Sequence, residues 1–454
     1  MKSPRLWVWF CLSFSLPFLQ AAAYESYSNV FVNPDLILVG EYNSQTRAAQ
    51  QSIIAWADEL NAQSPWSVTK KPVVAPSGNK HDYMSWAPYW WPDCSKVGNT
   101  SVLPPQVVWT TCPYVNRDGQ FNPDISLITD NWSFQNLSDA VFYDALVWAF
   151  QKNRGSTVYS RSAAQFLKTW FIDPDTMMNP NLNYAQVIRG PRKSTGTHTG
   201  VLDLKCFAKI ASAILIFRKG NAADWTPDLD SKMVSWVNQY IGWLETANLA
   251  LQESEALNNH GTFYYNQLAA LKLIAYDIPG AKNVTETYFN KQYQGQIDAN
   301  GTQPFEIIRT RPYHYTAYNL GAMITNANIA TYVGNSSIWT LPTRSGATIK
   351  TALDFALTLK ASATNETPWI NELTPSVGTV AVVYGDLQDK YAKQLDELEP
   401  TWKAEGWVLW TQPLSSTSNS TRPANSKSNN GDKRLTTNTL LVVGSSLAWL
   451  ALLS

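Results

Sequence analysis

The chain has 454 residues, and its 35 basic side chains are balanced by 35 acidic ones, so the formal net charge is zero. No run of Lys or Arg occurs, which argues against a nucleic-acid partner, because such partners are bound mainly through their phosphates. Aromatic residues make up 13% of the chain. This is more than a core alone usually requires, and aromatic faces exposed in a groove can hold sugar rings by stacking.

The first 23 residues have the features of a secretory signal peptide. Basic residues precede an apolar stretch, and small residues lie at Ala21 and Ala23. We expect cleavage after Ala23. Residues 24–410 contain no obvious linker, so they are predicted to form one large domain.

The C-terminal part of the chain has the features of a lipid-anchoring signal. Residues 411–430 are rich in Ser and Asn and are predicted to form a disordered stalk. Residues 431–454 end in an apolar run of about 15 residues, whereas a membrane-spanning helix needs about 20. Small residues, a polar spacer and an apolar tail in this order are typical of a glycosylphosphatidylinositol (GPI) attachment signal. We predict attachment at Asn430, with neighbouring small residues as alternatives, and therefore a place at the cell surface with the membrane as a partner.

Apolar residues recur at helical spacing through most of the domain, and strand-like alternation is sparse by comparison. The segments with this spacing are 46–62, 138–152, 162–172, 204–219, 230–254, 261–277, 317–334, 349–361 and 386–398. Ser138 and Asp230 stand at the beginning of two of them as plausible N-caps. The pattern predicts an all-α body in which antiparallel helix pairs surround a central cleft.

The cysteines predict one disulfide. Cys94 and Cys112 flank a Pro-rich loop at a separation that a disulfide closes easily, whereas Cys206 lies in an apolar run and is predicted to be a buried thiol. Neither CxxC nor HExxH spacing occurs, so we expect neither a structural metal site nor a cofactor.

Asn-x-Ser/Thr sequons suggest passage through a glycosylating secretory pathway. They lie at Asn99, Asn131, Asn136, Asn283, Asn300, Asn335, Asn365 and Asn419.

Three regions of the chain have a distinctive composition: "NKHDYMSWAPYWWPDC" (79–94), "NPNLNYAQVIRG" (179–190), and the pair "LNNHGTFYY" (257–265) and "IIRTRPYHYTAYNL" (307–320). Together they resemble the alginate lyase superfamily of polysaccharide lyases over about residues 80–320. The resemblance implies an incomplete (α/α) toroid and cleavage of a uronate-containing polymer. An acidic polysaccharide is therefore the expected partner, and we expect the enzyme to act as a monomer.

β-Elimination at a uronate requires that the charge on its carboxylate be offset while the C5 proton is removed. Asn259, and with it Asn258, can hydrogen-bond the carboxylate together with an Arg, as an oxyanion hole does. The resemblance places the histidine of the family's triplet at His260 and its catalytic tyrosine at Tyr315, as acid and base. For the Arg it favours Arg309, and Arg311 stays as an alternative.

Other residues are predicted to bind the polymer. Asn183, Tyr184 and Gln186 are placed on the cleft wall by the resemblance, and His198 lies in a Gly- and Thr-rich loop that could line the cleft. Tyr83, Tyr89 and Trp90 belong to an aromatic segment that prolines prevent from being helical. We interpret this segment as a lid, tethered by the predicted disulfide, that brings Tyr83 to the sugar beside His260.

Less specific interpretations stay open at this stage. Asn258 or Asn259 could simply cap the following helix. A glycoside hydrolase would need two carboxylates, for which Glu253, Glu255 and Glu306 are candidates without a distinguishing context. A non-catalytic surface protein would keep the aromatic residues alone. The pattern as a whole favours a secreted lyase acting on glucuronan or alginate.

Overall fold

The part of the chain with a described structure begins at residue 24 and ends at residue 411. The computed structural model describes residues 24–40, 44–63, 65–98, 103–151, 155–191 and 194–411. The predicted signal peptide, nearly all of the predicted stalk and the anchor signal with Asn430 lie outside these residues, as do the sequons at Asn99 and Asn419. Across the described ranges, no helix is both long and apolar enough to cross a membrane.

Helices dominate the structure. They are α1 (Pro34–Val39), α2 (Arg47–Asn61), α3 (Pro105–Thr111), α4 (Asp130–Phe150), α5 (Val158–Phe171), α6 (Phe207–Gly220), α7 (Pro227–Thr246), α8 (Asn248–Ser254), α9 (Asn259–Ile274), α10 (Ile278–Asn290), α11 (Pro312–Tyr332), α12 (Ile349–Ala356), α13 (Thr374–Tyr384), α14 (Lys390–Leu398) and α15 (Trp407–Trp410). Short 3₁₀ turns connect several of them, including one at His198–Leu204.

The helical prediction is confirmed, since every segment with helical spacing contains a helix. The two proposed caps are wrong. Ser138 is buried inside α4, where its Oγ donates to the carbonyl of Gln135. The N-cap of α7 is Thr226, which accepts from the amide of Leu229, while Asp230 lies within the helix and pairs with Arg218. Periodicity did not reveal α10 and α13, or the shorter helices α1, α3 and α15.

The helices form an incomplete (α/α) toroid. α4 packs against α2, α5 and α6, and α9 packs against α6, α10 and α11. The core between them contains fully buried rings such as Trp148, Trp170 and Tyr240, and burying a large apolar side chain contributes about 1.5–3 kcal/mol. One buried ion pair joins Lys209 of α6 to Asp139 of α4. The Lys209 Nζ also donates to the carbonyl oxygen of Tyr27 at 2.7 Å, which fixes the N-terminal segment against the core.

Two small sheets lie at one side of the helices. β1 (Met84–Trp86) pairs in parallel with β4 (Tyr184–Val187). β2 (Trp90–Pro92) pairs with β3 (Tyr114–Asn116) in an antiparallel ladder with Trp91 opposite Val115. We call residues 88–122, which contain β2, α3 and β3, the overhang. The predicted disulfide between Cys94 and Cys112 is confirmed and joins two points of the overhang whose Cα atoms lie 4.9 Å apart.

The structure does not support the lid as it was predicted. Residues 82–87 are buried and form β1 with the residues beside it, so this half of the aromatic segment belongs to the wall of the domain. Tyr83 is fully buried, and its hydroxyl donates to Asp203 at 3.1 Å. Its assignment as a sugar-binding residue is wrong in this structure, because the ring lies in the core.

Candidate active site

The N-terminal ends of three helices open on one cleft of about 580 Å³. α4 contributes Asn131 and Trp132, α9 contributes Asn259 and His260, and the first turns of α11 contribute further side chains. The remaining walls come from β1, the overhang, the 3₁₀ turn at 198–204 and the segment before α11. Because the N-terminus of a helix carries partial positive charge, the backbone of this cleft favours an anionic ligand.

His260 is held by a buried carboxylate. The break between α8 and α9 brings Glu253 beside the first turn of α9, and the Nδ1 of His260 lies 2.6 Å from Glu253 Oε1. The Cβ of any residue larger than glycine at position 261 would lie 2.0 Å from the carbonyl oxygen of Ala256, so Gly261 permits this close approach of the chain. His260 remains 20% exposed toward the cleft, while Glu253 is fully buried.

Glu253 binds a second histidine through its other oxygen. The Nδ1 of His198 lies 2.6 Å from Glu253 Oε2. Burial would raise the pKa of Glu253, but His260 and His198 outweigh burial and hold the pKa below its usual value. The hydrogen bond to Glu253 raises the pKa of His198. An ionised Glu253 accepts from Nδ1 of His260, which leaves Nε2 as the free acceptor of the neutral ring.

Asn259 is positioned by another buried acid. Its backbone amide donates to Glu306 Oε1 at 2.6 Å, and its Nδ2 donates to Glu306 Oε2 at 2.8 Å. Burial raises the pKa of Glu306 despite these two bonds. Asn259 is almost fully buried but lines the cleft, and among the described residues only Glu306 accepts from its Nδ2. Asn258 has a different role: its side chain accepts from the amide of His260 and caps α9.

Tyr315 lies under Arg309 and against the overhang. Its hydroxyl is 2.8 Å from the hydroxyl of Tyr89. The Arg309 guanidinium stands over the Tyr315 ring at 3.8 Å from the centroid. Burial and the neighbouring Tyr89 raise the pKa of Tyr315, whereas the positive charges of Arg309 and Arg311 act to lower it.

The two arginines differ in what they bind. Arg309 forms an ion pair with Asp118 of the overhang, with Nη2 2.7 Å from Oδ1, and this bond holds the pKa of Asp118 below its usual value. Arg311 forms no ion pair within the described part of the chain, and its Nε lacks a hydrogen-bond partner there. Its guanidinium lies 5.1–5.7 Å from the ring centroids of Trp369, Phe121 and Tyr315. Within the described residues, Arg311 is thus a cation with aromatic neighbours and without an anionic partner.

Gln186 is held in a strained conformation on the cleft wall. Its φ of 50° is unusual for a residue other than glycine. The side chain is fixed at both ends, because Nε2 donates to Asp203 Oδ1 at 2.8 Å and Oε1 accepts from Thr199 at 2.8 Å. Asp203 also accepts from Ser85 and Tyr83. Strain supported in this way is common where a side chain must be presented to a ligand.

Of the remaining residues that were predicted to bind the polymer, some line the cleft and others do not. Tyr89 and Trp90 line the cleft. Asn183 does not line it: the side chain is exposed and accepts from the indole of Trp243 at 2.9 Å. Tyr184 packs against a small apolar cluster that contains Trp86 and Ile128, and it does not line the cleft itself. His198 binds Glu253, and its neighbour Thr199 lines the cleft, but His198 itself does not. The structure therefore does not bring Asn183, Tyr184 and His198 into the cleft.

Several residues of the cleft were not found from the sequence. They include Ser28, Asn116, Asp118, Trp132, Lys205, Tyr318 and Trp369. For Asp118 the adjacent Gly119, which has a φ of 74°, indicates a tight turn and was a usable signal. Tyr318 lies within the segment 307–320, but nothing there distinguished it from the neighbouring tyrosines. No local pattern distinguishes the other residues.

The acids considered for hydrolysis do not lie where a hydrolase needs them. Glu253 and Glu306 are fully buried and bonded to His260 and Asn259, and Glu255 is exposed outside the cleft. The cleft therefore does not present a pair of these carboxylates on opposite sides of a sugar bond.

The chain was compared with protein-family models, curated proteins and solved structures. A model of the alginate lyase family matches residues 67–369. No curated protein matches the sequence. Among solved structures, an alginate lyase from Bacteroides ovatus is similar, with 27% sequence identity, a TM-score of 0.71, and coverage of 84% of this chain and 97% of that chain.

Two further solved structures share less with the chain. A histidine-to-alanine variant of alginate lyase A1-III complexed with a tetrasaccharide has 13% identity and a TM-score of 0.49, with 87% of this chain and 98% of that chain covered. Alginate lyase A1-III from Sphingomonas species A1 has 14% identity and a TM-score of 0.42, with 78% and 82% covered. The family model spans more than half of the chain and includes the residues from Tyr89 to Tyr315 that meet in the cleft. The chain therefore belongs to the alginate lyase family and is a polysaccharide lyase.

Proposed function

We propose that this lyase cleaves a uronate-containing polysaccharide, glucuronan or alginate, by β-elimination. One observation carries the proposal. The same cleft is lined by His260, Tyr315, Asn259 and Arg311, and Arg311 forms no ion pair with any residue that the structure describes. Three helix N-termini add partial positive charge to it. An anionic sugar polymer suits both the charge and the exposed aromatic side chains of this cleft.

The carboxylate of the reacting uronate is bound by Asn259 and Arg311. Asn259 offers the N–H that Glu306 leaves free, and Arg311 offers a guanidinium without an anion. We prefer Arg311 to the originally favoured Arg309, because Arg309 is already neutralised by Asp118. Donors fixed in this way stabilise the charge that develops on the carboxylate when C5 loses its proton, an effect of several kcal/mol in a preorganised site.

His260 and Tyr315 carry out the two proton transfers. One takes the proton from C5, the electrons of the C5–H bond form the C4–C5 double bond, and the C4–O4 bond breaks. The other donates a proton to the departing O4. The configuration of the sugar decides which residue faces the C5 proton. Glu253 fixes the Nδ1 proton of His260 and offsets the charge when His260 becomes protonated. Burial keeps the pKa of Tyr315 above its usual value, and Arg309 partly opposes that rise.

The test is formation of an unsaturated uronate, followed by its ultraviolet absorbance, on defined mannuronate, guluronate and glucuronate oligomers. His260→Ala and Tyr315→Phe should each lower kcat by more than about 100-fold with an unchanged circular dichroism spectrum. His81→Ala and Tyr184→Phe, which alter side chains outside the cleft, should keep activity. Near-full activity of either cleft variant would refute the role assigned to that residue.

We also propose that the enzyme is held at the cell surface by a GPI anchor at Asn430. The support is the sequence of residues 411–454 alone. Phosphatidylinositol-specific phospholipase C should release the protein from membranes. Retention after complete treatment, with residues 440–454 still detected by mass spectrometry, would contradict anchorage of this kind.

A further inference from the structure

The cleft extends well beyond the residues assigned to the reaction. A volume of about 580 Å³ lies in the range that accommodates ligands larger than one sugar ring. Lys205 and Trp132 line the cleft, and no hydrogen bond or ring contact joins either of them to His260, Tyr315 or Arg309 within the described residues. The proposed reaction gives these two side chains no role.

Lys205 and Trp132 lie on neighbouring elements. The Sγ of Cys206 lies 2.8 Å from Oε1 of Gln135, which brings the end of the 3₁₀ turn against the first turns of α4. Lys205 precedes Cys206, and Trp132 lies one helical turn before Gln135. Packing thus fixes a cation and an aromatic ring on adjoining parts of the same wall.

Each of the two side chains is available to a ligand. Trp132 is 54% exposed, which is unusual for the largest apolar side chain. Lys205 has neither an ion pair nor a side-chain hydrogen bond to any residue that the structure describes. Its acidic neighbour Asp203 is buried and accepts from Ser85, Tyr83 and Gln186. An exposed ring beside an ammonium group matches the face and the carboxylate of a uronate.

An acidic cavity beside the cleft has the wrong charge for a polyanion. A second cavity of about 320 Å³ adjoins the cleft at Ser28, Tyr318 and Trp369. Three acidic residues line it, namely Glu25, Glu372 and Glu405. Carboxylates in a partly enclosed cavity repel a polyanion, because like charges interact strongly at low dielectric. A uronate chain is therefore disfavoured inside this cavity.

We propose that Lys205 and Trp132 form a remote subsite for a uronate unit of the polymer, distinct from the unit that reacts. Trp132 stacks on the sugar ring, and Lys205 pairs with its carboxylate. The proposal rests on the proposed function in so far as it takes a polyuronate as the substrate. Contacts at this subsite would add affinity for long chains without adding contacts at the reacting bond.

Binding in an inactive background tests the subsite independently of turnover. In the full-length His260→Ala protein, we would measure retardation in gels containing polyglucuronate, alginate or carboxyl-reduced polyglucuronate. Lys205→Met should weaken binding to the charged polymers about tenfold and leave binding to the reduced polymer unchanged. Trp132→Ala should weaken binding to both, and Trp132→Phe should restore most of it. Lys232→Met, which removes an exposed charge on α7, is the matched control.

Kinetics in the otherwise wild-type enzyme give the second measurement. Lys205→Met should lower kcat/KM on polymer about tenfold and have little effect on the shortest oligomer that is cleaved. Equal losses on both substrates, or no loss of polymer binding, would overturn the subsite. If the wild-type enzyme forms no unsaturated product while Lys205-dependent binding persists, the proposed reaction fails and the subsite stands.

Discussion

At the scale of residues, the site depends on buried acids that position polar groups in the cleft. Glu253 uses both oxygens for His260 and His198, and Glu306 uses both for Asn259. A buried acid bound in this way is costly to leave unpaired. These acids therefore contribute orientation as well as charge, although neither lines the cleft.

Glu253→Gln should lower kcat about 10- to 100-fold, the range seen when a supporting residue behind a functional histidine is lost. The amide keeps a similar shape but cannot accept from both histidines or offset a protonated His260. The pH dependence of kcat should change along with its magnitude, which a purely structural role would not produce. Glu255→Gln, two residues away and exposed, is the control. Loss of activity with an unchanged pH profile would contradict the assigned role.

Arg311→Met should lower kcat/KM by about 100- to 1,000-fold, because it removes a donor from the developing charge. Asp118→Asn removes only the negative partner of Arg309. It should therefore lower kcat/KM much less than Arg311→Met does. Steady-state kinetics on one defined oligomer compares the two variants. If Asp118→Asn lowers kcat/KM more than Arg311→Met does, Arg309 would be the residue that binds the carboxylate of the reacting uronate.

At the scale of elements, the sequence predicted what depends on local pattern. Helical spacing revealed most helices, and the contiguous motifs around His260 and Tyr315 led to two side chains that share the cleft. The ion pair between Asp118 and Arg309 joins distant parts of the chain. A local sequence pattern therefore could not predict it. Tyr83 was misassigned because an aromatic ring in a Pro-rich segment can either pack or face a ligand, and only the tertiary structure decides between them.

The first turn of α4 also bears on glycosylation. The sequon at Asn131 lies on the cleft wall, and Asn136 on the same helix accepts from the hydroxyl of Tyr24 at 2.5 Å. Asn283, Asn300 and Asn365 are exposed. Glycopeptide mass spectrometry should find glycans on the exposed sites and none on Asn131, because a glycan there would fill the substrate cleft. An active enzyme fully modified at Asn131 would contradict the placement of the polymer.

At the scale of the whole molecule, the acidic cavity makes stability depend on pH. Burial, followed by Glu405, Asp139, Glu372 and Glu399, raises the pKa of Glu25 from 4.5 to about 7. Between these values the native state binds more protons than the unfolded chain, so the free energy of unfolding falls as the pH rises.

Glu25→Gln should remove this pH dependence. We compare the free energy of unfolding of the variant with that of the wild type by chemical denaturation. The difference in favour of the variant should be about 1–3 kcal/mol larger near pH 8 than near pH 5. Glu59→Gln, on an exposed part of α2, should follow the wild type at both pH values. Equal pH slopes for wild type and Glu25→Gln would contradict the prediction.

The buried thiol of Cys206 affects how the chain oxidises. Removal of the predicted signal peptide would also remove Cys11. The remaining Cys94, Cys112 and Cys206 can pair in three ways, and the structure has the disulfide between Cys94 and Cys112. Cys94 and Cys112 are 18 residues apart, and a short loop closes at a lower entropic cost than a long one. Cys206 contacts Ser28 and Gln135 from within the packed helices. Once those helices dock, its thiol is withdrawn from exchange, so oxidative refolding should yield a single disulfide isomer.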